Sequence, residues 1–526
     1  MPPTLLTVLV AAGAGLWLTA PLKAQTTTDL AAAVRSWRGA NEVAILRELA
    51  DLLAIPNLAS DDANIRRNAA HIRGLLEKRG IRTELLEYGG PPAVYAELTV
   101  PEATRTVMVY AHYDGQPVNA AHWASPPWTP TLRDGRLEQN PRDIPLASVK
   151  APVPGEWRLY GRSASDDKSP LVAVLAAIDA LRSSRIPLSV NVKFFLEGEE
   201  EAGSPNLAAA LTKYDRQLRA DAWLLCDGPV HQTRRMLVDF GVRGVMGLEM
   251  TVYGPSRVLH SGHYGNWAPN PASMLARLLA SMRADDGAIL MPGFADTVRP
   301  PSDSELRAIA AAPLVDDDLK RELALGRTEG GGDRVELTHL RPALNIRGLA
   351  AGAVGAGAAN GIPSDARASI DFRLVPDLVP AKVRELTEAH VRAQGYHVVY
   401  DEPDAETRRR HPRVIRLEWE IGYPAYRTDM DQPVSRAAIR IVGEVRGEPP
   451  VVLPTLGGSL PVHLFAERAP LVGLPIVNRD NNQHAANENL RLQNLWDGIE
   501  IFAALLARLG PEWDQPRSGA ATASPR

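Results

Sequence analysis

Cysteine is almost absent from this sequence of 526 residues, which contains Cys226 and no other thiol. A single thiol cannot form an internal disulfide, so the fold must be stabilised by packing. Cys226 directly follows the apolar residues Ala222–Leu225, and we interpret it as a small buried side chain. A chain without disulfides fits a periplasmic protein as well as a cytoplasmic one, so cysteine usage leaves the compartment open.

The sequence also lacks a large charge of either sign, because 58 basic and 62 acidic residues leave a formal net charge of −4. Without a basic field or an acidic block, neither nucleic acid nor a strongly charged protein is an expected partner. Hydrophobic residues make up 45% of the chain and charged residues 23%, which is the balance of an ordinary globular protein. We therefore expect a small-molecule substrate and, at this length, two domains.

Long hydrophobic runs are missing except at the N-terminus, where residues Leu5–Ala20 are apolar. The small residues that follow, up to Ala24, are typical of a secretory signal peptide cleaved after Ala24. We expect residues 1–24 to be a signal peptide and the mature protein to be periplasmic or secreted, without membrane association. An uncleaved anchor and a misassigned start are the alternatives, although the segment is short for a spanning helix.

Strand and helix patterns alternate along most of the chain, which predicts an α/β layer structure. The first such segment is 25–240, with short apolar strands such as Thr106–Tyr110 and an apolar helix at Pro170–Leu181. The same pattern returns over 423–510. We predict that these two segments form one catalytic domain with a mixed sheet between layers of helices.

Between 241 and 422 the pattern changes to strand, helix, strand, strand and helix. This order predicts a small α+β domain inserted into the first, and the glycine-rich stretch Thr328–Arg334 is predicted to be a mobile loop. The proline-rich stretch Pro141–Trp157 is predicted to be a surface insertion. The tail 511–526, rich in serine, alanine and proline, is predicted to be disordered.

Five short motifs place histidine or acidic residues at the ends of predicted strands or helices. They read Tyr110-Ala-His112-Tyr-Asp114-Gly, Tyr160-Gly-Arg-Ser-Ala-Ser-Asp166-Asp-Lys, Phe194-Phe-Leu-Glu197-Gly-Glu-Glu200-Glu201, Leu224-Leu-Cys-Asp227-Gly and Asn478-Arg-Asp-Asn-Asn-Gln-His484. The acidic run at Glu197–Glu201 would be strongly self-repelling unless a cation offset its charge. Taken singly, each motif also has a plain explanation as a loop histidine, a helix cap or a solvated turn.

Together and in this order, the motifs resemble those of the zinc metallopeptidase family that contains carnosinase, aminoacylase and succinyl-diaminopimelate desuccinylase. The resemblance extends from about Asn41 to Leu509 and is strongest to the carnosinase-like dipeptidases. It implies a two-domain α/β metallohydrolase, in which the segment 241–422 is a lid and dimerisation domain.

The resemblance also implies two divalent metal ions per subunit, most simply zinc, with manganese or cobalt as alternatives. One ion would be held by His112, Asp166 and Asp227, and the other by Asp166, Glu201 and His484. Glu200 would be the general base, and Asp114 would orient the ring of His112.

Two motifs of the inserted segment resemble the family's dimerisation and substrate contacts. His260, in Val258-Leu-His260-Ser-Gly-His263, would reach the active site of a partner subunit and stabilise the oxyanion, which implies a homodimer. Arg373 would hold the substrate carboxylate, although a plain surface role on its strand is the alternative. Neighbouring substrate contacts would come from Asn360, Gly458 and Ser459.

The function implied is metal-dependent hydrolysis of the peptide bond of dipeptides or short peptides that carry a free carboxylate. An N-acyl-amino-acid hydrolase with the same machinery is the nearer alternative, and a non-catalytic binding protein of the same fold is the remote one. The sequence departs from the family where Ser163 and Ser169 replace glycine and where Thr455-Leu456 replaces Arg-Glu. These departures concern substrate preference, because the metal and base positions are intact.

Overall fold

The computed structural model describes residues 27–466 and 468–515. The predicted signal peptide, residues 1–24, and the end of the predicted tail, residues 516–526, lie outside the described residues. Among the helices that are described, none combines the length and the apolar character needed to cross a membrane.

An eight-stranded mixed sheet forms the centre of the larger layer structure. In spatial order its strands are Arg82–Leu86, Ala93–Leu98, Asn191–Glu197, Thr106–His112, Ala222–Leu225, Leu471–Gly473, Leu237–Asp239 and Val451–Leu453. The four strands from Asn191–Glu197 to Leu471–Gly473 run parallel to one another. Their sequences are nearly continuous apolar runs because both faces of the sheet are covered.

Helices pack on both faces of this sheet, and alternate strand residues meet different layers. Val107 and Val109 face one layer, whereas Met108 and Tyr110 face the other. The first layer contains the helices Thr27–Leu53, Asp62–Glu77, Lys168–Ser183, Pro433–Arg446 and Leu492–Trp513, and the second contains Leu207–Lys213 and His463–Ala466. Cys226 is fully buried in the first layer, as predicted.

A second, five-stranded sheet is formed entirely by residues of the segment 241–422. Its spatial order is Ala343–Ala350, Asp365–Leu374, Gly244–Tyr253, Val414–Trp419 and His397–Val399. The helices Pro271–Met282 and Pro380–Ala393 cover one face, because alternate residues such as Leu248 and Met250 are apolar and buried. The predicted fold class is therefore confirmed, while the residue bounds given for the domains stay predictions.

Smaller elements connect the two sheets. A four-stranded sheet has the order Asn489–Arg491, Arg158–Tyr160, Thr131–Arg133 and Asp143–Ile144, and two-stranded ribbons pair Gly241–Val242 with Tyr426–Arg427 and Leu259–His260 with Gly361–Ile362. The short helices are Ser261–Tyr264, Asp303–Ala311, Asp316–Glu322, Val335–Thr338 and Ala405–Arg410. Single 3-10 turns lie at Ala120–His122, Leu137–Gln139, Leu146–Ser148, Glu200–Ala202, Gly330–Gly332 and Gly355–Gly357.

The stretch predicted as a surface insertion, Pro141–Trp157, is more closely packed than predicted. Its residues Asp143–Ile144 form a strand, Val149 and Val153 are buried, and the amide of Val153 donates to the carboxylate of Glu42 at 2.6 Å.

The sequence pattern predicts helices at Asn41–Leu53, Pro433–Val445 and Glu488–Leu509. Three element boundaries differ from this pattern. The first helix begins at Thr27 rather than Asn41, because Leu30 and Val34 are buried against the core. The last helix begins at Leu492 rather than Glu488, because Asn489–Arg491 pairs with a strand instead. The same helix continues to Trp513, inside the predicted tail, because the Trp513 ring is buried under the Arg105 guanidinium.

Candidate metal centre

Acidic residues and histidine gather at the carboxyl ends of the parallel strands. His112 is the last residue of its strand, Asp227 is the second residue after Ala222–Leu225, and Glu200 and Glu201 begin the turn after Asn191–Glu197. Parallel strands present their carboxyl ends at one edge, which is where open α/β sheets form their sites. The sheet therefore brings together side chains from three separate motifs.

Asp166 lies between two histidines and faces each with a different carboxylate oxygen. Its Oδ1 is 2.8 Å from His112 Nε2, and its Oδ2 is 3.1 Å from His484 Nε2. His484 Nε2 is also 3.2 Å from the carboxylate of Glu201. A carboxylate oriented in this way can bridge two cations, one on each oxygen.

The side chains form two groups of potential metal ligands that share Asp166. One group is His112, Asp166 and Asp227, the other is Asp166, Glu201 and His484, and within each group the donor atoms lie within 4.8 Å of one another. Imidazole and carboxylate donors in threes are typical of catalytic sites for zinc and similar divalent ions, which leave a position open. The residues therefore fit a pair of divalent cations.

The electrostatics of the acids support this fit. Burial, followed by the charge of Asp166, raises the pKa of Glu201 to about 7 and that of Asp227 to about 6. Burial opposes ionisation of Asp166 too, but hydrogen bonds from His112 and His484 hold its pKa well below the usual range. So many carboxylates in a buried cluster need protons or cations to offset their charge, and divalent ions supply that charge.

Glu200 lies beside both groups without belonging to either. Its Oε2 is 3.9 Å from His112 Nε2, and its side chain is 11% exposed. Burial raises the pKa of Glu200 well above its ordinary value, and the charge of His112 opposes this shift. A carboxylate that lies beside a metal pair without binding it can accept and return a proton.

Asp114 joins the first motif to the acidic turn. Its Oδ1 lies 3.4 Å from His112 Nδ1, and its two oxygens accept the amides of Glu200 and Glu201 at 3.1 and 3.0 Å. The carboxylate therefore lies where it can orient the His112 ring while holding the turn that carries the other two acids.

Glu488 is a buried residue of the site that the sequence did not reveal. It is fully buried and accepts the backbone amides of Ser163, Ser165 and Asp166 at 2.9–3.0 Å and the guanidinium of Arg162 at 2.8 Å. Glu488 follows His484 by four residues, so it ties the two ligand-bearing segments together. Glu488 is the last residue of the fifth motif in full, Asn478-Arg-Asp-Asn-Asn-Gln-His484-Ala-Ala-Asn-Glu488, and an acid at this position was the available signal.

Ser163 occupies a position where the related family usually has glycine. Its φ is +62°, a left-handed conformation that favours glycine. Its Oγ accepts from the amide of Asn57 at 2.8 Å and lies 3.3 Å from the carbonyl of Asp114. These side-chain contacts offset part of the conformational cost of keeping serine there.

Arg373 and Ser459 lie together, and Gly458 is the neighbour of Ser459; their contact with substrate stays a prediction. Arg373 Nη1 donates to Ser459 Oγ at 2.8 Å and its Nε to Asp371 at 3.1 Å. Burial, followed by the charge of Glu200, raises the pKa of Tyr423, and the charge of Arg373 opposes that shift. Tyr423 therefore lies between this cluster and the metal centre. Tyr423 belongs to no motif, and no sequence signal marked it.

His260 and Asn360 form a separate, exposed cluster. The amide of Ser261 donates to the Asn360 carbonyl at 2.9 Å, and the His260 and His263 rings lie 4.5 Å apart, tilted by 37°. Within residues 27–466 and 468–515, His260 makes no hydrogen bond or ion pair with the metal-site acids. Its predicted role in a partner subunit stays a prediction.

Comparison with known proteins gives the family. The model of Peptidase family M20/M25/M40 matches residues 108–508, which contain all five motifs. The chain belongs to this family. It is therefore a metallopeptidase, and the family and the enzyme class predicted from the motifs are confirmed.

Relatives in the M20 family extend the similarity over most of the chain. A Cys-Gly metallodipeptidase of Schizosaccharomyces pombe is 26% identical over 428 residues, covering 80% of this chain and 83% of that protein. The human Beta-Ala-His dipeptidase is 26% identical over 427 residues, covering 80% and 78%. Among solved structures, an M20 family metallo-carboxypeptidase from Sulfolobus solfataricus has a TM-score of 0.71 and 28% identity, covering 89% of this chain and 99% of that one.

Proposed function

We propose that this chain is a two-metal dipeptidase that hydrolyses the peptide bond of dipeptides or short peptides with a free carboxylate. The observation that carries the proposal is Asp166 facing His112 and His484 with its two oxygens, beside the unligated Glu200. Zinc is the metal we propose for both positions, because imidazole and carboxylate donors suit it; manganese and cobalt are the alternatives.

The chemistry follows from the positions of the side chains. When bound, two divalent cations polarise the scissile carbonyl and lower the pKa of the attacking water. Glu200 takes the proton from that water and delivers it to the leaving amine, because its carboxylate lies beside both ligand groups without belonging to either. Asp114 keeps His112 in one orientation throughout.

Two observations support the proposed substrate class, namely the position of Arg373 and the names of the relatives. Arg373 is partly exposed and points its guanidinium at Ser459 and Asp371, so it can form charge-assisted hydrogen bonds with a carboxylate. The two relatives described above bear names that specify dipeptides. A short peptide with a free carboxyl terminus satisfies both observations.

A substrate panel tests the proposed function. Purified protein loaded with zinc is assayed on dipeptides and on N-acetyl amino acids with the same carboxyl-terminal residue. We expect turnover of the dipeptides at least about tenfold faster, because one additional hydrogen bond contributes up to about 1.5 kcal/mol and tenfold corresponds to about 1.4 kcal/mol. Faster turnover of the N-acyl amino acids would assign the chain to the deacylases, and turnover of neither by zinc-loaded protein would refute catalysis.

We further infer a homodimer built on the edge of the five-stranded sheet. Ala343–Ala350 is the terminal strand of that sheet, and Leu349 is 60% exposed on it. Trp267 is 78% exposed on the segment that also carries His260. An exposed apolar edge strand is a template for pairing with another chain.

We also propose that the protein is exported, on the strength of the apolar segment Leu5–Ala20 and the small residues up to Ala24. Determination of the N-terminus of the mature protein tests this proposal. An N-terminus at Gln25 supports it, and an N-terminus at Met1 contradicts it.

A further inference from the structure

A cavity of about 730 Å³ lies next to Arg373 and has no role in the chemistry described above. Ala343 lines the cavity and pairs directly with Arg373 across two strands. Its apolar wall includes Ile289, Phe294 and Val298. The volume lies within the range of about 300–1,000 Å³ that is typical of small-molecule sites.

Arg243 lines this cavity and is the arginine there that lacks an ion pair among the described residues. It is 8% exposed, and its Nη2 donates to the carbonyl of Arg341 at 2.7 Å. Its Nε is buried and has no hydrogen-bond partner within the described part of the chain. By contrast, Arg283 pairs with Glu329, and Arg341 pairs with Asp333. A buried guanidinium with an unused donor is costly unless an acceptor reaches it.

The loop Gly458–Ser459 holds Arg243 close to Arg373. The amide of Arg243 donates to the Gly458 carbonyl at 3.0 Å, while Ser459 Oγ lies 2.8 Å from Arg373 and 3.3 Å from the Gly244 carbonyl. Burial, followed by repulsion from Arg373, lowers the pKa of Arg243 to about 10, so it is still charged at neutral pH.

The charges around the two arginines are not balanced. Asp371 is the acid that acts on Arg243, and it also accepts from Arg373 at 3.1 Å. Two guanidinium groups that share one carboxylate leave an excess of one positive charge. One carboxylate from a ligand restores neutrality at this point.

The side chain of a peptide's last residue starts from the same Cα as its terminal carboxylate. A carboxylate held by Arg243, which lines the cavity, therefore places that side chain at the cavity mouth.

We propose that Arg243 shares the substrate's terminal carboxylate with Arg373, and that the cavity receives the side chain of the carboxyl-terminal residue. This inference rests on the proposed dipeptidase function. The apolar wall selects a large apolar or aromatic side chain. An acidic side chain is disfavoured, because the lining carries four acidic residues and three arginines.

The first test fills the cavity. Metal-loaded protein carrying Glu200→Gln, which is not a metal ligand, is titrated calorimetrically with Ala-Phe and with Ala-Gly. We expect Ala-Phe to bind roughly tenfold tighter or more, because the aromatic ring is buried. Val298→Phe should reduce this preference at least about fivefold, whereas Val379→Phe, an exposed valine outside the cavity, should not. Ala295→Phe on the exposed rim replaces Val298→Phe if that variant does not fold.

The second test removes the guanidinium. Arg243→Met, in the same Glu200→Gln background, should weaken Ala-Phe binding roughly tenfold or more, because a buried charge-assisted hydrogen bond is lost. The amide of Ala-Phe, which has no terminal carboxylate, should bind Arg243→Met and its parent equally.

The outcomes separate this inference from the proposed function. Three outcomes would overturn the subsite. They are equal binding of Ala-Phe and Ala-Gly, an equal loss of the Ala-Phe preference in Val298→Phe and Val379→Phe, and an equal effect of Arg243→Met on the affinities for Ala-Phe and its amide. Failure of both dipeptides to bind overturns it as well. If binding follows the expected pattern but the wild-type enzyme turns over no dipeptide, the subsite stands and the dipeptidase proposal fails.

Discussion

At the scale of single residues, the metal centre depends on a carboxylate outside both ligand groups. Glu488 accepts three backbone amides and the Ser165 hydroxyl from the Asp166 loop, and it pairs with Arg162. Partners that orient ligands without binding metal typically contribute 10–100-fold to metal affinity. We therefore expect Glu488→Gln to lower the metal affinity by about that factor, as measured by competition with a chelating dye.

Glu500→Gln is the matched control for Glu488→Gln. Glu500 is also a buried glutamate, and it accepts a hydrogen bond from Arg35 at 3.1 Å. It lies in the middle of the last helix and not in a loop that carries a metal ligand. Its substitution should leave metal affinity unchanged. Equal metal affinities of Glu488→Gln and wild type, or an equal loss in Glu500→Gln, would contradict the positioning role.

Asp239 gives a prediction about stability and pH. It is 1% exposed, and burial, followed by the charge of Asp227, raises its pKa from 3.8 to about 8. Between these values the folded state keeps a proton that the unfolded state has lost, so stability falls as pH rises from about 4 to 8. Below this window both states are protonated, and the penalty disappears.

Asp239→Asn should therefore stabilise the protein at pH 7.5 by about 1–3 kcal/mol, and by much less at pH 4.5. Thermal unfolding at both pH values, at one fixed metal content, measures the effect. Asp317→Asn on the surface is the control, with the Asp317 side chain 81% exposed. A stability difference between Asp239→Asn and wild type that does not change with pH would argue against a buried neutral carboxyl.

The family resemblance pointed to His112, Asp166 and Asp227 as metal ligands and to Asp114 as the residue that orients His112, because all four lie within short motifs. Tyr423 and Arg243 matter because of where distant loops place them, which no local pattern encodes. Burial of a charged group in particular is a property of the tertiary structure.

At the scale of single elements, the edge strand Ala343–Ala350 is the feature with the clearest consequence. Leu349→Lys should weaken the proposed dimer at least about tenfold, because it introduces a charge into the centre of an apolar contact. Sedimentation equilibrium measures the dissociation constant. Leu314→Lys, at a site that is 77% exposed and outside the strand, is the control. A monomeric wild type, or an unchanged dissociation constant in Leu349→Lys, would refute this interface.

Elements with strong periodicity were predicted well, whereas their ends were not. The helix at Pro433–Arg446 begins at the residue that its proline indicates. The start of the first helix at Thr27 was missed, because residues before Asn41 show little periodicity and are helical by packing on the core. Asn489–Arg491 forms a strand because Arg158–Tyr160 lies alongside it, and that neighbour is more than 300 residues away in the sequence.

At the scale of the whole molecule, the eight-stranded sheet brings together ligands from three segments, and loops beside the four-stranded sheet add Asp166 and His484. The order and spacing of the motifs resemble those of a known family, and this resemblance was enough to predict that the five ligands lie at one site. The cavity beside Arg373 could not be predicted, because its walls come from the strand end at Leu344, the turn at Ile289 and the loop at Gly330. Only the packed structure shows that these segments enclose a space.

The central claim is that a pair of cations held by two histidines and three acids acts together with Glu200 as the base. Metal content and dipeptide turnover of Glu200→Gln, measured on the same preparation, test it most directly. The account predicts two metal ions per chain, as in the wild type, and turnover lowered by about 10²–10⁴-fold. Undiminished turnover, or loss of one metal ion together with activity, would contradict the assignment of Glu200 as an unligated base.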